Sequence, residues 1–98
     1  MFYLRQLASA VSFLHENRVA HCDIKCDNIL LDSNFNLKLA DFGSSEVIKR
    51  NSGLLNHRKG TKHYMAPEVD DFSLKTPYDG KKADVFALGV TMYMMLFG

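Results

Sequence analysis

The sequence has little net charge, few cysteines and no membrane-spanning apolar run, and each of these absences excludes a class of protein. The formal net charge of the 98 residues is +1, which is too small to recruit nucleic acid or an anionic membrane surface, so we expect neither partner. Two cysteines cannot form a disulfide framework, and they favour a reducing, cytoplasmic location. No signal peptide is expected, because no uninterrupted apolar segment follows Arg5.

The most apolar stretch of the chain runs from Val85 to Gly98, where the only clearly polar side-chain groups are the hydroxyls of Thr91 and Tyr93. This stretch is too short to span a bilayer, which takes about 20 apolar residues. It therefore predicts a core helix over about 81–98 and no membrane span. Because a helix that is apolar on all sides must be buried, we expect further elements of the protein to cover it.

The rest of the sequence has an ordinary globular composition, with 47% hydrophobic and 23% charged residues, which supports one modest core rather than a disordered chain. Four aliphatic residues recur at helical spacing and predict an amphipathic helix over about 2–15. They are Leu4, Leu7, Val11 and Leu14. Apolar runs at 29–31 and 37–40 flank the turn-forming residues 32–34 and predict a β-hairpin. The predicted fold class is therefore mainly α with a small β-hairpin.

A polar loop over 21–28 carries the first side chains that suggest chemistry. Asp23 is followed by Lys25 two residues later and by Asn28 three residues further on. Phosphoryl transfer needs a carboxylate beside the attacking hydroxyl, a cation near the moving phosphate and oxygen ligands for magnesium. This loop is able to supply all three, although a polar turn with satisfied hydrogen bonds is the commoner explanation of an isolated Asp-x-Lys-x-x-Asn.

A second group of residues follows the hairpin. Asp41-Phe42-Gly43 begins thirteen positions after Asn28, at the end of a strand-like run. A hard cation such as Mg²⁺ is bound by carboxylate oxygens together with phosphate oxygens, and Gly43 behind Asp41 lets the backbone turn. From 41 to 67 the chain is polar and weakly periodic, and a loop of this length is usually functional or mobile.

The chain also contains Ala66-Pro67-Glu68 and, at the head of its final helix, Asp84. In this order the motifs resemble those of the eukaryotic protein kinase family. The family pattern H-R-D-L-x-x-x-N is matched by 21–28, D-F-G by 41–43 and A-P-E by 66–68. The resemblance covers residues 1–98 and implies part of the C-terminal lobe of a protein kinase, with a catalytic loop at 21–28 and an activation segment at 41–68.

The resemblance implies a role for each matched residue that faces the reaction. Asp23 would be the catalytic base that accepts or orients the substrate hydroxyl, and Lys25 would contact the γ-phosphate of ATP. Asn28 and Asp41 would bind two Mg²⁺ ions, and Leu30 would lie beneath the adenine. ATP and Mg²⁺ are therefore the implied cofactors.

The resemblance also implies supporting roles around these residues. His21 and Phe42 would stack in the hydrophobic column that marks the active state. Thr61 would hydrogen-bond to the side chains of the catalytic base and of the lysine two residues after it. Asp84 would hold the backbone of the catalytic loop from below, and Glu68 would lack its usual arginine partner.

The implied function is that of a serine/threonine protein kinase, which transfers the γ-phosphoryl group of ATP to a Ser or Thr hydroxyl of a protein. Lys25 and the pattern over 60–68 favour this branch over the tyrosine kinases. The glycine-rich loop and strand lysine of the family's N-terminal lobe, and its last helices, are absent from the 98 residues. The chain alone is therefore expected to be inactive, since positioning provides most of phosphoryl-transfer catalysis. The alternative is a pseudokinase, a scaffolding or binding module that keeps the fold without turnover.

One departure from the family pattern affects regulation. Cys22 stands where the pattern has an arginine, which normally pairs with a phosphorylated residue of the activation segment, and a thiol cannot form that bidentate pair. Basic residues of the segment sit on the loop itself and are not expected to tie it to the catalytic loop; they are Arg50, Arg58 and Lys59. Order is therefore expected to come from Thr61 or from a partner regulator, and activity is expected to depend little on phosphorylation within 44–59.

Two cysteines near a histidine also raise the question of a zinc site. Cys22 and Cys26 lie close to His21, but the sequence has no second Cys or His pair at suitable spacing, so a zinc site is not expected. Cys26 and Phe86 replace a proline and a tryptophan that are common in the family, and both are interpreted as tolerated changes in packing.

Overall fold

The computed structural model describes residues 2–48, 54–55, 59–70 and 77–97. Two helices dominate it: α1 spans Phe2–Glu16 and α2 spans Gly80–Phe97. Two short 3₁₀ helices lie at Cys26–Asn28 and Phe42–Ser44, and the six short strands are β1 (Val19–Ala20), β2 (Ile29–Leu31), β3 (Leu37–Leu39), β4 (Glu46–Val47), β5 (Leu54–Leu55) and β6 (Tyr78–Asp79).

Helix α1 forms where its apolar spacing predicts it. Leu7 and Val11 are 0% and 2% exposed, and they pack with Ile24, Leu37 and Ala87. We call these five residues the helical core, because they join α1 to the catalytic loop, the hairpin and α2. Burying a leucine or valine side chain contributes about 1.5–3 kcal/mol, so this cluster fixes the catalytic loop against both helices.

The predicted hairpin is confirmed. Strands β2 and β3 pair antiparallel, with Ile29 opposite Leu39 and Leu31 opposite Leu37. The Asp32 carboxylate makes the turn, since its Oδ1 accepts hydrogen bonds from the backbone N–H groups of residues 34 and 36 at 2.8 and 2.9 Å. Local bonding of this kind is the reason that aspartate favours turns.

Two further sheets are not predicted by the sequence. Strand β1 pairs antiparallel with β4, and β5 pairs antiparallel with β6. Each of these strands has two residues, which is too short to show alternating hydrophobicity, and each pairing joins segments far apart in the chain. The described residues therefore form two helices and three antiparallel two-stranded sheets, rather than two helices and one hairpin.

A second apolar cluster lies beneath the activation segment. Its buried members, which we call the segment core, are Ala20, Ile48, Leu55, Ala66, Val69 and Tyr78. Helix α2 begins against this cluster at Gly80, where a Cβ atom would lie 2.6 Å from Leu55 Cδ1 and 3.1 Å from Ala20 Cβ. A side chain at this position would have to displace Leu55, so the absence of a Cβ at Gly80 favours the close approach of α2 to the segment core.

Helix α2 buries one side only. Asp84, Ala87 and Thr91 are at most 8% exposed, whereas Val85 and Phe97 on other sides are 56% and 73% exposed. The partly uncovered helix agrees with the expectation that further elements of the protein pack on it. Within the described residues, neither helix is long and apolar enough to cross a membrane.

Candidate active site

A buried carboxylate supports the catalytic loop from α2. Asp84 is 1% exposed; its Oδ2 accepts a hydrogen bond of 2.8 Å from the backbone N–H of His21, and its Oδ1 accepts one of 3.0 Å from that of Cys22. A buried charge is stable only when it is paired and hydrogen-bonded. These bonds satisfy both oxygens, and they hold the start of the loop against the N-terminal part of α2.

His15 also contacts this carboxylate, and the sequence gives no direct indication of it. Its Nε2 lies 2.9 Å from Asp84 Oδ2, across 69 positions of the chain. His15 is the last basic residue of α1, and its position beside the predicted apolar stripe was the one available signal. Asp84 thus ties together α1, α2 and the catalytic loop.

His21 is 0% exposed and links the catalytic loop to the residue before Asp41. Its Nδ1 accepts a hydrogen bond of 3.1 Å from the backbone N–H of Asp23, so its Nε2 carries the hydrogen and donates to the carbonyl of Ala40 at 2.8 Å. Its ring also meets that of Phe42 edge to face, with the centroids 5.0 Å apart. The two residues expected to stack are therefore in contact.

The Asp23 carboxylate has two different neighbours. Thr61 Oγ1 donates a hydrogen bond of 2.6 Å to Oδ1, and Lys25 Nζ lies 3.9 Å from Oδ2. Both charged side chains are mostly covered, with 16% and 23% exposure. One oxygen is therefore oriented by a hydroxyl, while the other faces an ammonium group across a wider gap.

Asn28 and Asp41 lie at the same end of the hairpin. The Asn28 side-chain N–H donates a bond of 2.7 Å to the backbone carbonyl of Asp23, which leaves its amide oxygen as the group able to bind a cation. The backbone N–H of Ala40 donates a bond of 2.7 Å to the carbonyl of Asn28, so Asp41 follows directly beside it. Carboxylate and carboxamide oxygens are the ligands that Mg²⁺ prefers, and it needs only one or two from the protein when phosphate and water supply the rest.

The backbone around Asp41 is held in an uncommon conformation. Asp41 has φ 56°, in the left-handed region, and its Oδ1 accepts a hydrogen bond of 3.3 Å from the backbone N–H of Gly43. Phe42 and Leu30 are 45% and 55% exposed, so both apolar side chains are available to further atoms. This region therefore combines oxygen ligands for a metal ion with exposed apolar surface, and this combination suits a metal-bound nucleotide.

The end of the activation segment packs on the catalytic loop. Gly60 has φ 121°, which favours glycine, and a Cβ there would lie 3.2 Å from the carbonyl oxygen of Cys22. Ala66 is buried in the segment core, whereas Glu68 is exposed. The predicted residues therefore separate into a compact group around Asp23 and an outlying carboxylate at 68.

Cys22 is a packing residue in this structure. It has φ 71° and lies against the segment core, with its Sγ 3.6 Å from the carbonyl oxygen of Ala20. Burial, with the nearby charges of Asp84 and Glu46, raises its thiol pKa to about 12. A thiol is nucleophilic as the thiolate, so this environment disfavours the nucleophilic form of Cys22.

Lys59 joins the two ends of the predicted activation segment. Its Nζ lies 3.4 Å from Glu46 Oε2 and donates a hydrogen bond of 3.1 Å to the carbonyl of Ser44. Both contacts lie within the segment, and the pairing of β4 with β1 connects Glu46 to the chain just before the catalytic loop. Sequence reasoning missed the ion pair, because the pairing of two-residue strands is invisible in the sequence. Arg50, His57 and Arg58 lie outside the described residues.

The described part of the chain contains no group of three or more His, Cys, Asp or Glu side chains arranged to hold a metal ion. Both cysteines are free thiols. Asn28 and Asp41 are only two ligands, so a cation bound between them would need further ligands from a nucleotide.

Comparison with known proteins agrees with the motifs and with the geometry. The family model of the protein kinase domain matches residues 1–98. CBL-interacting protein kinase 10 of Oryza sativa subsp. japonica is 49% identical over 98 residues, which cover 98% of this chain and 21% of the relative. CBL-interacting serine/threonine-protein kinase 10 of Arabidopsis thaliana is 47% identical over 98 residues, which cover 98% of this chain and 20% of the relative.

CBL-interacting serine/threonine-protein kinase 2 of Arabidopsis thaliana is also 47% identical, over 98% of this chain and 21% of the relative. The chain thus spans about one fifth of the length of the curated relatives it matches. Since the family match covers every residue and the relatives share nearly half of the sequence, the chain belongs to the protein kinase family, on its serine/threonine branch.

Proposed function

We propose that the native protein that contains this chain transfers the γ-phosphoryl group of ATP to a serine or threonine hydroxyl of a protein substrate. The observation that carries the proposal is the setting of Asp23. Its carboxylate is oriented by Thr61 at 2.6 Å and faces Lys25 at 3.9 Å, and the backbone carbonyl of the same residue is bonded to Asn28.

Asp23 is the proposed catalytic residue. Thr61 occupies Oδ1, which leaves Oδ2 to accept the proton of the substrate hydroxyl as it attacks the phosphorus atom. Proton transfer to a positioned carboxylate contributes typically 10²–10⁴-fold in rate. Lys25, near the same oxygen, would balance the charge of the moving phosphoryl group.

Asn28 and Asp41 are the proposed ligands of Mg²⁺, with the carboxamide oxygen of the first and the carboxylate of the second. When bound, the metal would neutralise charge on the phosphate oxygens of ATP. The chain's own contribution is to hold both ligands at one end of the hairpin through the bond from Ala40 to Asn28. Leu30, exposed on β2, is proposed to contact the adenine.

The remaining boundaries are part of the same proposal. The chain would belong to the C-terminal lobe of a kinase domain, with the catalytic loop at 21–28, the activation segment at 41–68 and a core helix over about 81–98. Regions of the native protein outside these residues would grip the α- and β-phosphates of ATP. His21, Phe42 and Asp84 would support the active arrangement from behind the catalytic loop.

A regulatory partner is also proposed. The similar proteins of Oryza sativa and Arabidopsis thaliana are described by their names as CBL-interacting. By that similarity, a CBL protein is the partner regulator that we propose for the native protein, in the cytoplasm. The two free thiols are consistent with a reducing compartment.

The test is phosphoryl transfer by the purified native protein, with radiolabelled ATP, Mg²⁺ and a generic basic protein substrate. Asp23→Asn should lower kcat by at least about 100-fold, because the amide cannot accept the hydroxyl proton. Asp27→Asn is the matched control: Asp27 is an exposed carboxylate of the same loop, and its change should alter kcat by less than about twofold.

A pseudokinase would give a different result. Its wild-type and Asp23→Asn forms would show the same background transfer, while both would keep the fold. Equal activity of the two forms would therefore overturn the proposed reaction in favour of a binding or scaffolding role.

A further inference from the structure

A half-buried ion pair joins the beginning of the activation segment to its end. Lys59 Nζ lies 3.4 Å from Glu46 Oε2 and is bonded to the Ser44 carbonyl at 3.1 Å. The lysine and glutamate side chains are 29% and 21% exposed, and the Oε2 atom itself is buried. Partly buried pairs are screened less by salt than exposed pairs, so this contact keeps its attraction under physiological conditions.

The acidic partner is anchored to the catalytic loop. Glu46 lies in β4, directly opposite Ala20 in β1, and the backbone N–H of Ile48 donates a bond of 2.7 Å to the carbonyl of Arg18. Strand β1 leads straight into His21. The backbone of Glu46 is therefore fixed to the start of the loop that carries Asp23.

The basic partner lies next to the residue that orients Asp23. Lys59 is two positions before Thr61, and two residues span at most about 7 Å of chain. Gly60 between them is packed against Cys22 and Met65. A restraint on Lys59 therefore limits how far the Thr61 hydroxyl can move from Asp23 Oδ1.

The surroundings of Cys22 indicate what this pair replaces. The family pattern has an arginine at this position, where it pairs with an anionic phosphate carried by the segment. Here Cys22 is a partly buried thiol, and Glu46 is close enough for its charge to raise the pKa of both Cys22 and Tyr78. The Glu46 carboxylate thus places a negative charge beside position 22 without phosphorylation. Its positive partner, Lys59, belongs to the activation segment and not to the catalytic loop.

We infer that the Glu46–Lys59 ion pair anchors the activation segment in place of an arginine–phosphate contact, and that both residues position Thr61 on Asp23. This inference rests on the proposed kinase function. It makes activity independent of phosphorylation in the segment, because the anion of the pair is a permanent carboxylate.

The first experiment measures kcat and KM of the native protein before and after phosphatase treatment. Wild-type kcat should be unchanged by the phosphatase. Glu46→Gln and Lys59→Met should each lower kcat about tenfold with less than a twofold change in KM for ATP, because the pair acts on the catalytic base rather than on the nucleotide. The reversed pair, Glu46→Lys with Lys59→Glu, should recover at least half of the loss on a logarithmic scale.

Two variants serve as matched controls. Glu16→Gln and Lys82→Met remove the same charges from exposed positions at the end of α1 and the start of α2, and they should leave kcat within about twofold of wild type. If neither single variant folds, the reversed pair decides: a folded, active protein supports the ion pair, and an unfolded or inactive one overturns it.

The second readout does not need turnover. Amide hydrogen exchange over residues 60–64 should be faster in Glu46→Gln than in wild type or in Glu16→Gln, while exchange in α1 stays the same. If the wild-type protein lacks kinase activity but Glu46→Gln still exchanges faster than wild type, the proposed function is refuted and the anchor is supported. An active wild type whose kcat and exchange are unaffected by Glu46→Gln would overturn the anchor, as would a 100-fold loss of wild-type kcat on phosphatase treatment.

Discussion

Asp84 and Glu46 both brace the candidate site with a carboxylate, but they do so in different surroundings. Asp84 is 1% exposed, and it is bonded to two backbone N–H groups and in contact with His15. Glu46 pairs with Lys59, a long side chain that is 29% exposed. Removing one partner of a fully buried charge costs several kcal/mol, and the partly buried Glu46–Lys59 pair is expected to contribute less than that because water screens its lysine.

The two carboxylates therefore support different parts of the candidate site. The catalytic loop is held by bonds to its backbone, which cannot be exchanged for bonds to water while Asp84 stays buried. The Glu46–Lys59 ion pair adds to the strand pairing and the apolar packing of the activation segment, and its side chains are 21% and 29% exposed.

The largest effect is expected from Asp84→Asn. The amide oxygen would still accept from one of the two backbone N–H groups, but the NH₂ would face the other, which then has no acceptor, so the free energy of unfolding should fall by about 3–5 kcal/mol. Asp79→Asn is the control, because Asp79 Oδ1 accepts bonds from the N–H groups of Lys81 and Lys82 at the start of α2 and asparagine caps a helix about equally well. Denaturant unfolding of the native protein measures both, and equal losses would remove the contrast between the two braces.

A smaller effect is expected from His15→Asn. The change removes the ring from Asp84 Oδ2 but leaves the bond from His21, so the loss in unfolding free energy should be about 1–3 kcal/mol. His63→Asn is the matched control, since His63 is exposed with φ 77° and asparagine tolerates that conformation. A loss as large as that of Asp84→Asn would show that His15, and not the backbone bonds, carries the support.

The next prediction concerns the effect of the Thr61 hydroxyl on kcat. Thr61→Val removes the hydroxyl that bonds to Asp23 with little change in volume, and kcat should fall about tenfold, or about 1.4 kcal/mol. Thr61→Ser keeps the hydroxyl and should stay within about threefold of wild type. The free energy of unfolding should be nearly the same in both, and steady-state kinetics with denaturant unfolding would separate the two effects.

The smallest effect concerns the thiol between the two carboxylates. Burial raises the folded-state pKa of Cys22 from its ordinary value of 9.0 to about 12. The unfolded chain therefore loses this proton first, and stability that is fully present below pH 9 should decline as the pH rises toward 12. Tyr78 has a raised pKa for the same reason and adds to the decline. Unfolding measured at pH 8 and pH 10 should show a weaker decline in Cys22→Ala than in wild type; an equal decline would mean that the thiol does not titrate as its burial implies.

The sequence was most informative where chemistry and periodicity are local. The spacing of Leu7 and Val11 predicted α1, and Asp32 predicted the turn of the hairpin, since both depend on neighbours within a few residues. The order of Asp23, Asn28 and Asp41 identified the family before any contact was known. Their roles in catalysis and in metal binding remain predictions, to be decided by the experiments proposed above.

Other features were out of reach of the sequence. Strands β1 and β4 have two residues each, so no sequence pattern predicts that Glu46 lies opposite Ala20. The contact of His15 with Asp84 crosses 69 positions, and the place of that histidine beside the apolar stripe of α1 does not identify its partner. The ion pair of Lys59 with Glu46 escaped prediction for the same reason.

By itself, the sequence determined the helices, the hairpin and the family. The hydrogen bonds of a turn or a helix join residues that are close together in the chain, and a motif is defined by the residue types at such neighbouring positions. Only the tertiary structure decided which charged groups meet. Asp84 beneath the catalytic loop and Lys59 on Glu46 depend on how α2 and the two-residue sheets pack. Burial and distance, which set the strength of each pair, exist only in the folded chain.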